Sequence, residues 1–251
     1  MQALTRGRYR ARLAGGEADL HRAQSLRHLV FRLRRGLAAT DGLDADRFDP
    51  LCQHVLIEDL ATGALLGCFR VAELADAAAL DRCYTGAVYD LAPLRGMAGP
   101  MIEIGRFCLH PDHSDPDLLR LAWGAVARLV DAAGACLLLG CSSFVGADPQ
   151  DHRAALALLG AAYLGPPALR PQPKAAQTYR FATDLAGQGA EARLGLAGIP
   201  PLLRTYLAMG GWVSDHAVCD PDLDTLHVFT AVEIAKIPPA RARALRLIAE
   251  G

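Results

Sequence analysis

The sequence predicts an α/β fold with a mixed, mostly antiparallel central sheet flanked by helices. Segments with strand-like and helix-like spacing of apolar residues alternate along the chain, and two pairs of neighbouring strand segments are joined by short turns, as in β-hairpins. The 251 residues are 52% hydrophobic, which is enough to bury a sizeable core. We therefore expect one domain over residues 1–251, with a Pro-rich surface insertion near residues 164–200.

The first half of the chain predicts a short strand, a long helix and a hairpin. Residues 8–14 are typical of a strand, and a helix over residues 17–36 is indicated by apolar residues at three-to-four spacing. That apolar stripe comprises Leu20, Ala23, Leu26, Val30, Leu33 and Leu37. A polar loop at residues 39–49 precedes the first hairpin, whose two strands cover residues 54–59 and 64–74.

The second half continues the alternation. Asp115 is expected to cap a helix that runs to about Ala132, because an aspartate before Pro116 satisfies free N–H groups of the first turn. The other predicted elements are strands at residues 101–110 and 134–144, helices at 148–164 and 200–211, and a final hairpin at 212–234.

Charge is unevenly distributed, although the net charge is only −1. The first 35 residues contain nine arginines against Glu17 and Asp19 as the acidic residues. This basic segment is either a solvated face or a docking surface for an acidic partner or an anionic membrane. Aromatic residues make up 6% and do not alternate with the arginines, so nucleic acid is not an expected partner.

The chain is expected to be soluble and cytoplasmic. No apolar stretch approaches the length of a membrane span, and the Arg-rich start lacks the apolar segment of a signal peptide, so any contact with the inner membrane would be peripheral. Seven cysteines without a CxxC pair indicate a reducing compartment. The eight histidines are scattered, and no metal site is predicted.

Three charged residues interrupt otherwise apolar strands: Arg70 in GCFRVAEL, and Glu103 and Arg106 in MIEIGRFCLH. Buried charges are costly unless they are paired or used. They form either an internal ion pair or a site in which a carboxylate handles an amine beside an arginine that orders it. Glu103 and Arg106 would face opposite sides of a regular strand, so a shared site requires a bulge at Gly105.

A group of short motifs resembles the acyl-homoserine lactone synthases, which have the GNAT fold. The motifs are Arg27 with Phe31, Asp46 with Phe48 and Asp49, Gly67 with Arg70, and Glu103-Ile-Gly-Arg106. Further segments resemble the ornithine N-acyltransferases of ornithine-lipid synthesis, and the similarity covers residues 8–235. These segments are residues 103–112, 140–149, 200–210 and 220–225. Arg34-Arg35-Gly36 stand where lactone synthases carry a tryptophan, which argues against lactone synthesis.

The resemblance implies a GNAT-like N-acyltransferase that moves a (3-hydroxy)acyl chain to the α-amine of L-ornithine, giving lyso-ornithine lipid. Homologues that use glutamine or glycine leave the acceptor open. A GNAT-fold adaptor that binds lipid or carrier without catalysis is the alternative from another class. Retention of Glu103 and Arg106 favours the enzyme.

The acyl donor is expected to be acyl carrier protein rather than free coenzyme A. GNAT enzymes commonly hold the pyrophosphate of coenzyme A on a Gly-rich turn at a helix N-terminus. The equivalent turn here, residues 112–117, has no glycine, contains Pro116 and carries three carboxylates. We expect the 4′-phosphopantetheine arm of the carrier to supply the acyl group, with no permanently bound cofactor, and Arg32 and Arg35 to dock the carrier.

Glu103 is the predicted base and Arg106 the predicted ordering residue, with backbone N–H groups near Arg106 and Phe107 holding the thioester carbonyl. The pantetheine arm is expected between the strand of Glu103 and that of Cys141. The predicted substrate-binding residues are Arg27, Phe31, Asp46, Asp49, Arg70, Phe107, Cys141 and Ser142. Cys141 is expected to pack rather than to act as a nucleophile, because no histidine is evident as its partner.

Overall fold

The computed structural model describes residues 1–37, 41–187 and 192–250. The chain divides into two compact units. The first unit consists of Met1–Glu73, Ile102–Ala135 and Pro238–Gly251, and the second of Leu74–Met101 and Cys136–Ile237.

Strands and helices alternate along the chain. The strands are β1 (Leu4–Arg6), β2 (Tyr9–Leu13), β3 (Gln53–Asp59), β4 (Leu65–Leu74), β5 (Tyr89–Asp90), β6 (Met101–Leu109), β7 (Leu137–Val145), β8 (Gln172–Pro173), β9 (Thr178–Tyr179), β10 (Trp212–Asp220) and β11 (Thr225–Glu233). The helices are α1 (Glu17–Phe31), α2 (Ala79–Arg82), α3 (Tyr84–Val88), α4 (Pro116–Ala133), α5 (Arg153–Ala162), α6 (Phe181–Asp184), α7 (Ala192–Gly198), α8 (Pro201–Ala208) and α9 (Pro239–Glu250).

In the first unit, the strand order is β1-β2-β3-β4-β6. β1, β2, β3 and β4 pair antiparallel in sequence, with Ala11 opposite Ile57 and Val55 opposite Phe69. α1 packs through Ala23 and Leu26 on a small core cluster that includes Cys68 of β4. This arrangement places α1 next to the strand that carries Arg70.

α4 and α9 complete the first unit. Asp115 caps α4, because its side chain accepts a hydrogen bond from the backbone N of Asp117 at 2.9 Å. α9 packs on α4 at Gly124, where a Cβ atom would come within 2.9 Å of side-chain atoms of Ile248 and Leu4. A glycine is therefore required at this close approach.

In the second unit, the strand order is β7-β11-β10-β9, and all neighbouring pairs are antiparallel. Helices α5, α6 and α8 contribute to a buried cluster with one face of these strands. Its members include Phe144, Leu156, Phe181, Leu203, Val213 and Val228. β5 and β8 form a separate antiparallel pair.

Most predicted elements are confirmed, including both hairpins and the capped helix α4. The predicted helix over residues 17–36 was too long: α1 ends at Phe31, a short 3-10 turn covers residues 33–35, and Gly36 has a left-handed φ of 67°. β1, β9 and the short helices α6 and α7 were not predicted, and neither was α9.

The prediction of one domain over residues 1–251 with an insertion near 164–200 stays a prediction. Residues 188–191 of that insertion, residues 39 and 40 of the predicted polar loop, and Gly251 lie outside the described residues. Across the parts of the chain that are described, no helix has both the length and the hydropathy needed to cross a bilayer.

Candidate active site

A loop between α1 and β3 brings Asp44, Asp46 and Asp49 together in the first unit. The backbone N of Asp44 donates to the backbone oxygen of Gln24 in α1 at 3.1 Å. At the other end of the loop, the Nε2 atom of His54 lies 3.0 Å from the backbone oxygen of Asp49. The loop is therefore fixed to the helix on one side and to β3 on the other.

Arg27 of α1 holds two of these carboxylates. Its Nε donates to Asp44 Oδ2 and its Nη1 to Asp49 Oδ1, each at 2.9 Å, and the residue is 1% exposed. Burial alone would raise the pKa of Asp49, but hydrogen bonds from Arg27, Gln24 and Arg70 outweigh it, so this pKa is held well below its usual range. Asp49 is consequently a buried, charged acceptor with several donors.

Arg70 of β4 also contacts this loop. Its Nη1 donates to Asp46 Oδ1 at 2.5 Å and to Asp49 Oδ1 at 2.7 Å, and its guanidinium lies over the ring of Phe48. A Cβ atom at Gly105 would come within 3.3 Å of Arg70 Nε. The glycine of β6 therefore gives this side chain room to pass.

Arg106 of β6 interrupts the regular strand. Its φ of 51° lies in the left-handed region, which is unusual for a residue with a side chain. Its Nε donates to Asp44 Oδ2 at 3.0 Å and its Nη2 to Asp46 Oδ2 at 3.1 Å. The expected bulge at Gly105 stays a prediction; the unusual backbone angle in this strand belongs to Arg106.

These contacts form one ion-pair network, which consists of Arg27, Arg70, Arg106, Asp44, Asp46 and Asp49. Four members are at most 4% exposed. The side chains of Arg106 and Asp46 are 15% and 20% exposed, so solvent and ligands meet the network at this pair. Most of the network is thus buried, and the Arg106–Asp46 pair forms its accessible edge.

Glu103 lies on β6, the strand that carries Arg106, and is 3% exposed. Cys52 follows the aspartate loop, and its backbone N donates to the backbone oxygen of Asp49 at 3.2 Å. Burial raises the pKa of the Cys52 thiol to about 11. The predicted base is therefore a buried residue on the strand of Arg106, and its catalytic role stays a prediction.

Comparison with known proteins identifies the family. Residues 26–124 match the acetyltransferase (GNAT) domain family. An L-ornithine N(alpha)-acyltransferase of Rhodobacter capsulatus is 32% identical over 90% of this chain and 90% of its own length. The chain belongs to the L-ornithine N(alpha)-acyltransferase family. The predicted resemblance and the GNAT-like α/β fold are thereby confirmed.

Other matches extend this comparison. A second L-ornithine N(alpha)-acyltransferase, from Brucella abortus, is 29% identical over 92% of this chain and 86% of its own length. Among solved structures, the N-acyl amino acid synthase FeeM from uncultured soil microbes is 13% identical, with a TM-score of 0.49 over 97% of each chain.

The two predicted phenylalanines occupy different environments in this acyltransferase. Phe31 is half-buried and packs against the core cluster of Ala23, Leu26 and Cys68. Phe107 follows Arg106 and stacks on Phe69, with ring centroids 5.5 Å apart. Phe107 is thus fixed immediately beside the irregular residue of β6.

Cys141 and Ser142 lie on β7 in the second unit. The Cys141 sulfur lies 3.7 Å from Thr85 Oγ1. The buried Ser142 hydroxyl accepts a hydrogen bond from Thr230 Oγ1 at 2.9 Å, which ties β7 to its neighbour β11. Their assignment to substrate binding stays a prediction, as does the pantetheine position between the strands of Glu103 and Cys141.

Arg32, which was expected to dock the carrier, is largely buried. Arg32 is 9% exposed and Arg35 is half-buried, because the chain leaves the helical path after Phe31. Arg34 is the exposed arginine of this segment, and it pairs with Asp112 at 2.5 Å. A docking charge on this segment would have to come from Arg34 or Arg35.

The N-terminal arginines do not form an unpaired basic surface. Glu58 of β3 accepts hydrogen bonds from Arg10, Arg12 and Arg22, and Asp59 pairs with Arg8. These two carboxylates come from outside the basic segment, so four of its arginines are paired in the folded unit.

The turn before α4 is occupied by carboxylates. Asp115 caps the helix and also accepts a hydrogen bond from the Tyr9 hydroxyl at 2.8 Å, while Asp117 pairs with Arg6 and Arg120. A negatively charged ligand at this helix end would meet carboxylates where GNAT enzymes commonly offer backbone N–H groups.

Sequence reasoning missed Asp44 and Gln24 as members of the site. Asp44 stands in the acidic stretch DGLDADRFD, whose density of carboxylates was the available signal. Gln24 had no signal, because its contact with Asp49 joins residues 25 positions apart.

Proposed function

We propose that the protein transfers a (3-hydroxy)acyl chain from acyl carrier protein to the α-amine of L-ornithine, giving lyso-ornithine lipid. The curated relatives named L-ornithine N(alpha)-acyltransferase support the reaction and its acceptor. The observation that carries it in this chain is a buried, ordered set of charges that includes Arg106 of β6, the strand of Glu103, with an accessible edge at Arg106 and Asp46.

The proposed mechanism is direct transfer. Glu103 accepts a proton from the α-ammonium group, and the resulting amine attacks the thioester carbonyl. As the C–N bond forms, backbone N–H groups near Arg106 and Phe107 stabilise the oxyanion. The C–S bond then breaks, the thiolate of the pantetheine arm takes the second amine proton, and Glu103 returns its proton to solvent.

The proposal of a carrier-bound donor rests on the turn before α4. The turn has no glycine for close approach of a diphosphate, Pro116 has no N–H to offer, and Asp115 already accepts a hydrogen bond from the backbone N of Asp117. Acyl carrier protein presents only one phosphodiester on its arm. A peripheral contact with the inner membrane, where the product would accumulate, is a further part of this proposal.

One assay tests the reaction and its alternatives. Purified protein is incubated with 3-hydroxyacyl carrier protein and either ornithine, glutamine or glycine, and mass spectrometry quantifies the N-acyl amino acid and the free thiol. We expect product with ornithine and a higher rate with the carrier than with the same acyl-coenzyme A. Product with glutamine or glycine but not with ornithine would identify that amino acid as the acceptor. No thiol release with any amino acid would favour the non-catalytic adaptor.

The control variant is Glu103→Gln, which keeps the size of the side chain and removes its basicity. We expect a folded protein whose turnover is lower by about 10²-fold, as for a positioned general base. A folded Glu103→Gln protein with normal turnover would remove Glu103 from the mechanism.

A further inference from the structure

The accessible edge of the ion-pair network is built so that one of its contacts can be exchanged. Asp46 Oδ1 is held twice, by Arg70 Nη1 at 2.5 Å and by the backbone N of Phe48 at 2.9 Å. Asp46 Oδ2 accepts from Arg106 Nη2 at 3.1 Å. Loss of the contact between Oδ2 and Arg106 would therefore leave the aspartate in place.

Arg106 has the same property on its own side. Its Nε donates to Asp44 Oδ2 at 3.0 Å, and Asp44 is itself held by Arg27 at 2.9 Å. If Nη2 released Asp46, the guanidinium would keep this buried partner. The Asp46–Arg106 contact can thus open while each residue keeps another partner in the network.

We propose that an acceptor with two amino groups opens the Asp46–Arg106 contact, so that its carboxylate binds Arg106 Nη2 and its side-chain ammonium binds Asp46 Oδ2. This inference rests on the proposed function and assigns Asp46 as the residue that selects a diamino acid. One partly exposed contact is lost and two charge-assisted contacts are gained.

The charges favour the same class of acceptor. The network contains three arginines and three aspartates and is neutral as a set, and Glu103 must be an anion to act as the proposed base. Ornithine carries a net charge of +1 at neutral pH, whereas glutamine, glycine and norvaline carry none. The net positive charge of a diamino acid is therefore opposite to the net negative charge of the network together with Glu103.

A competition assay tests the role of Asp46. Wild type and Asp46→Asn each receive acyl carrier protein thioester with equal amounts of ornithine and norvaline, which has the same chain length without the second amine. The product ratio gives the ratio of the two kcat/KM values. We expect the ornithine preference to fall about tenfold or more in Asp46→Asn, as for a lost hydrogen bond to a charged group. If wild type makes no norvaline product, its appearance in the variant is the expected result.

Asp49→Asn is the matched control, because Asp49 is a buried carboxylate of the same network that touches Arg27 and Arg70. It is expected to lower both products together and to leave their ratio unchanged. Asp46→Glu provides a second test: it advances the carboxylate by one methylene, so preference should shift toward 2,4-diaminobutyrate, which is one methylene shorter than ornithine.

The outcomes separate this inference from the proposed function. A wild type that acylates ornithine and norvaline equally, or an Asp46→Asn variant that keeps the wild-type ratio, would overturn the role of Asp46 and leave the acyltransferase intact. A wild type that acylates no amino acid would remove the proposed function and this subsite with it.

Discussion

Replacement of Arg27 by methionine tests whether the network organises the first unit. Methionine fills a similar volume without charge or donors. In the variant, Asp49 keeps Arg70 and Gln24, and Asp44 keeps Arg106, so three carboxylates face two guanidiniums in a region that is almost fully buried. Breaking a buried ion pair by removing one partner costs about 3–5 kcal/mol. For a chain of this size that corresponds to a fall in Tm of about 6–20 °C.

Thermal unfolding of Arg27→Met against Arg34→Met provides the comparison. Arg34 and its partner Asp112 are 51% and 60% exposed, so Arg34→Met should change stability by no more than about 0.5 kcal/mol. An Arg27→Met protein that melts within about 2 °C of wild type would show that the buried charges are not coupled to folding.

The same variant has a predicted pH dependence. The pKa of Asp49 is lowered in the folded protein, so its stabilisation is present above the unfolded pKa of about 3.9 and is lost as pH falls through the folded value. Arg27 supplies much of that depression. The stability difference between wild type and Arg27→Met should therefore narrow below about pH 4. A difference that widens in acid would contradict this assignment.

Three further predictions concern other parts of the first unit. Hydrogen bonds from arginines outweigh burial and lower the pKa of Glu58 from 4.5 to about 2. Glu58→Gln should therefore destabilise the protein by about 2 kcal/mol at pH 7, and urea titrations should show this loss vanishing between about pH 4.5 and 2. An equal loss of stability at pH 2 would refute this prediction. Gly67→Ala should lower the free energy of unfolding in urea by about 1–3 kcal/mol, because its Cβ would lie 2.6 Å from Leu109 Cδ2. The control Gly96→Ala meets no atom within 4 Å and should leave stability unchanged. Equal effects of the two variants on stability would show that Gly67 is not crowded. Arg35→Glu should raise the KM for acyl carrier protein and weaken the salt dependence of that KM. Arg32→Glu should chiefly lower Tm, because Arg32 is more buried than Arg35. Unchanged carrier kinetics in Arg35→Glu would show that the carrier docks elsewhere.

Local patterns predicted local structure well. The hairpins followed from strand-like segments around short turns, and the start of α4 followed from Asp115 before Pro116. The end of α1 was mispredicted because apolar spacing continues to Leu37, although the backbone leaves the helix at Arg32, whose φ is −119°. The apolar spacing gave no sign of this change in backbone path, and the burial of Arg32 was missed with it.

Long-range pairing was beyond the sequence. The N-terminal arginines were interpreted as a solvated face or a docking surface, but Glu58, from a strand more than 35 residues away from the last of them, accepts hydrogen bonds from Arg10, Arg12 and Arg22. Likewise, Arg70 and Arg106 were recognised as charges in apolar strands, while their shared partners in the loop came from the resemblance or, for Asp44, from the structure. Charged residues in strands indicate that a partner exists but do not identify it.

The network consists of charged residues, although apolar side chains could fill the same volume. Well-packed apolar side chains of similar volume often stabilise a core as well as a buried ion pair does, since both ions must lose their hydration. Stability alone therefore does not account for three arginines and three aspartates in one network. Four of the six are at most 4% exposed, and they hold Asp46 and Arg106 in fixed positions at the accessible edge. An apolar core would hold that edge equally well but would present no charge to a zwitterionic acceptor. On the proposal made above, the buried pairs would serve the binding of the acceptor, because they would fix the geometry of its two charged contacts before it arrives.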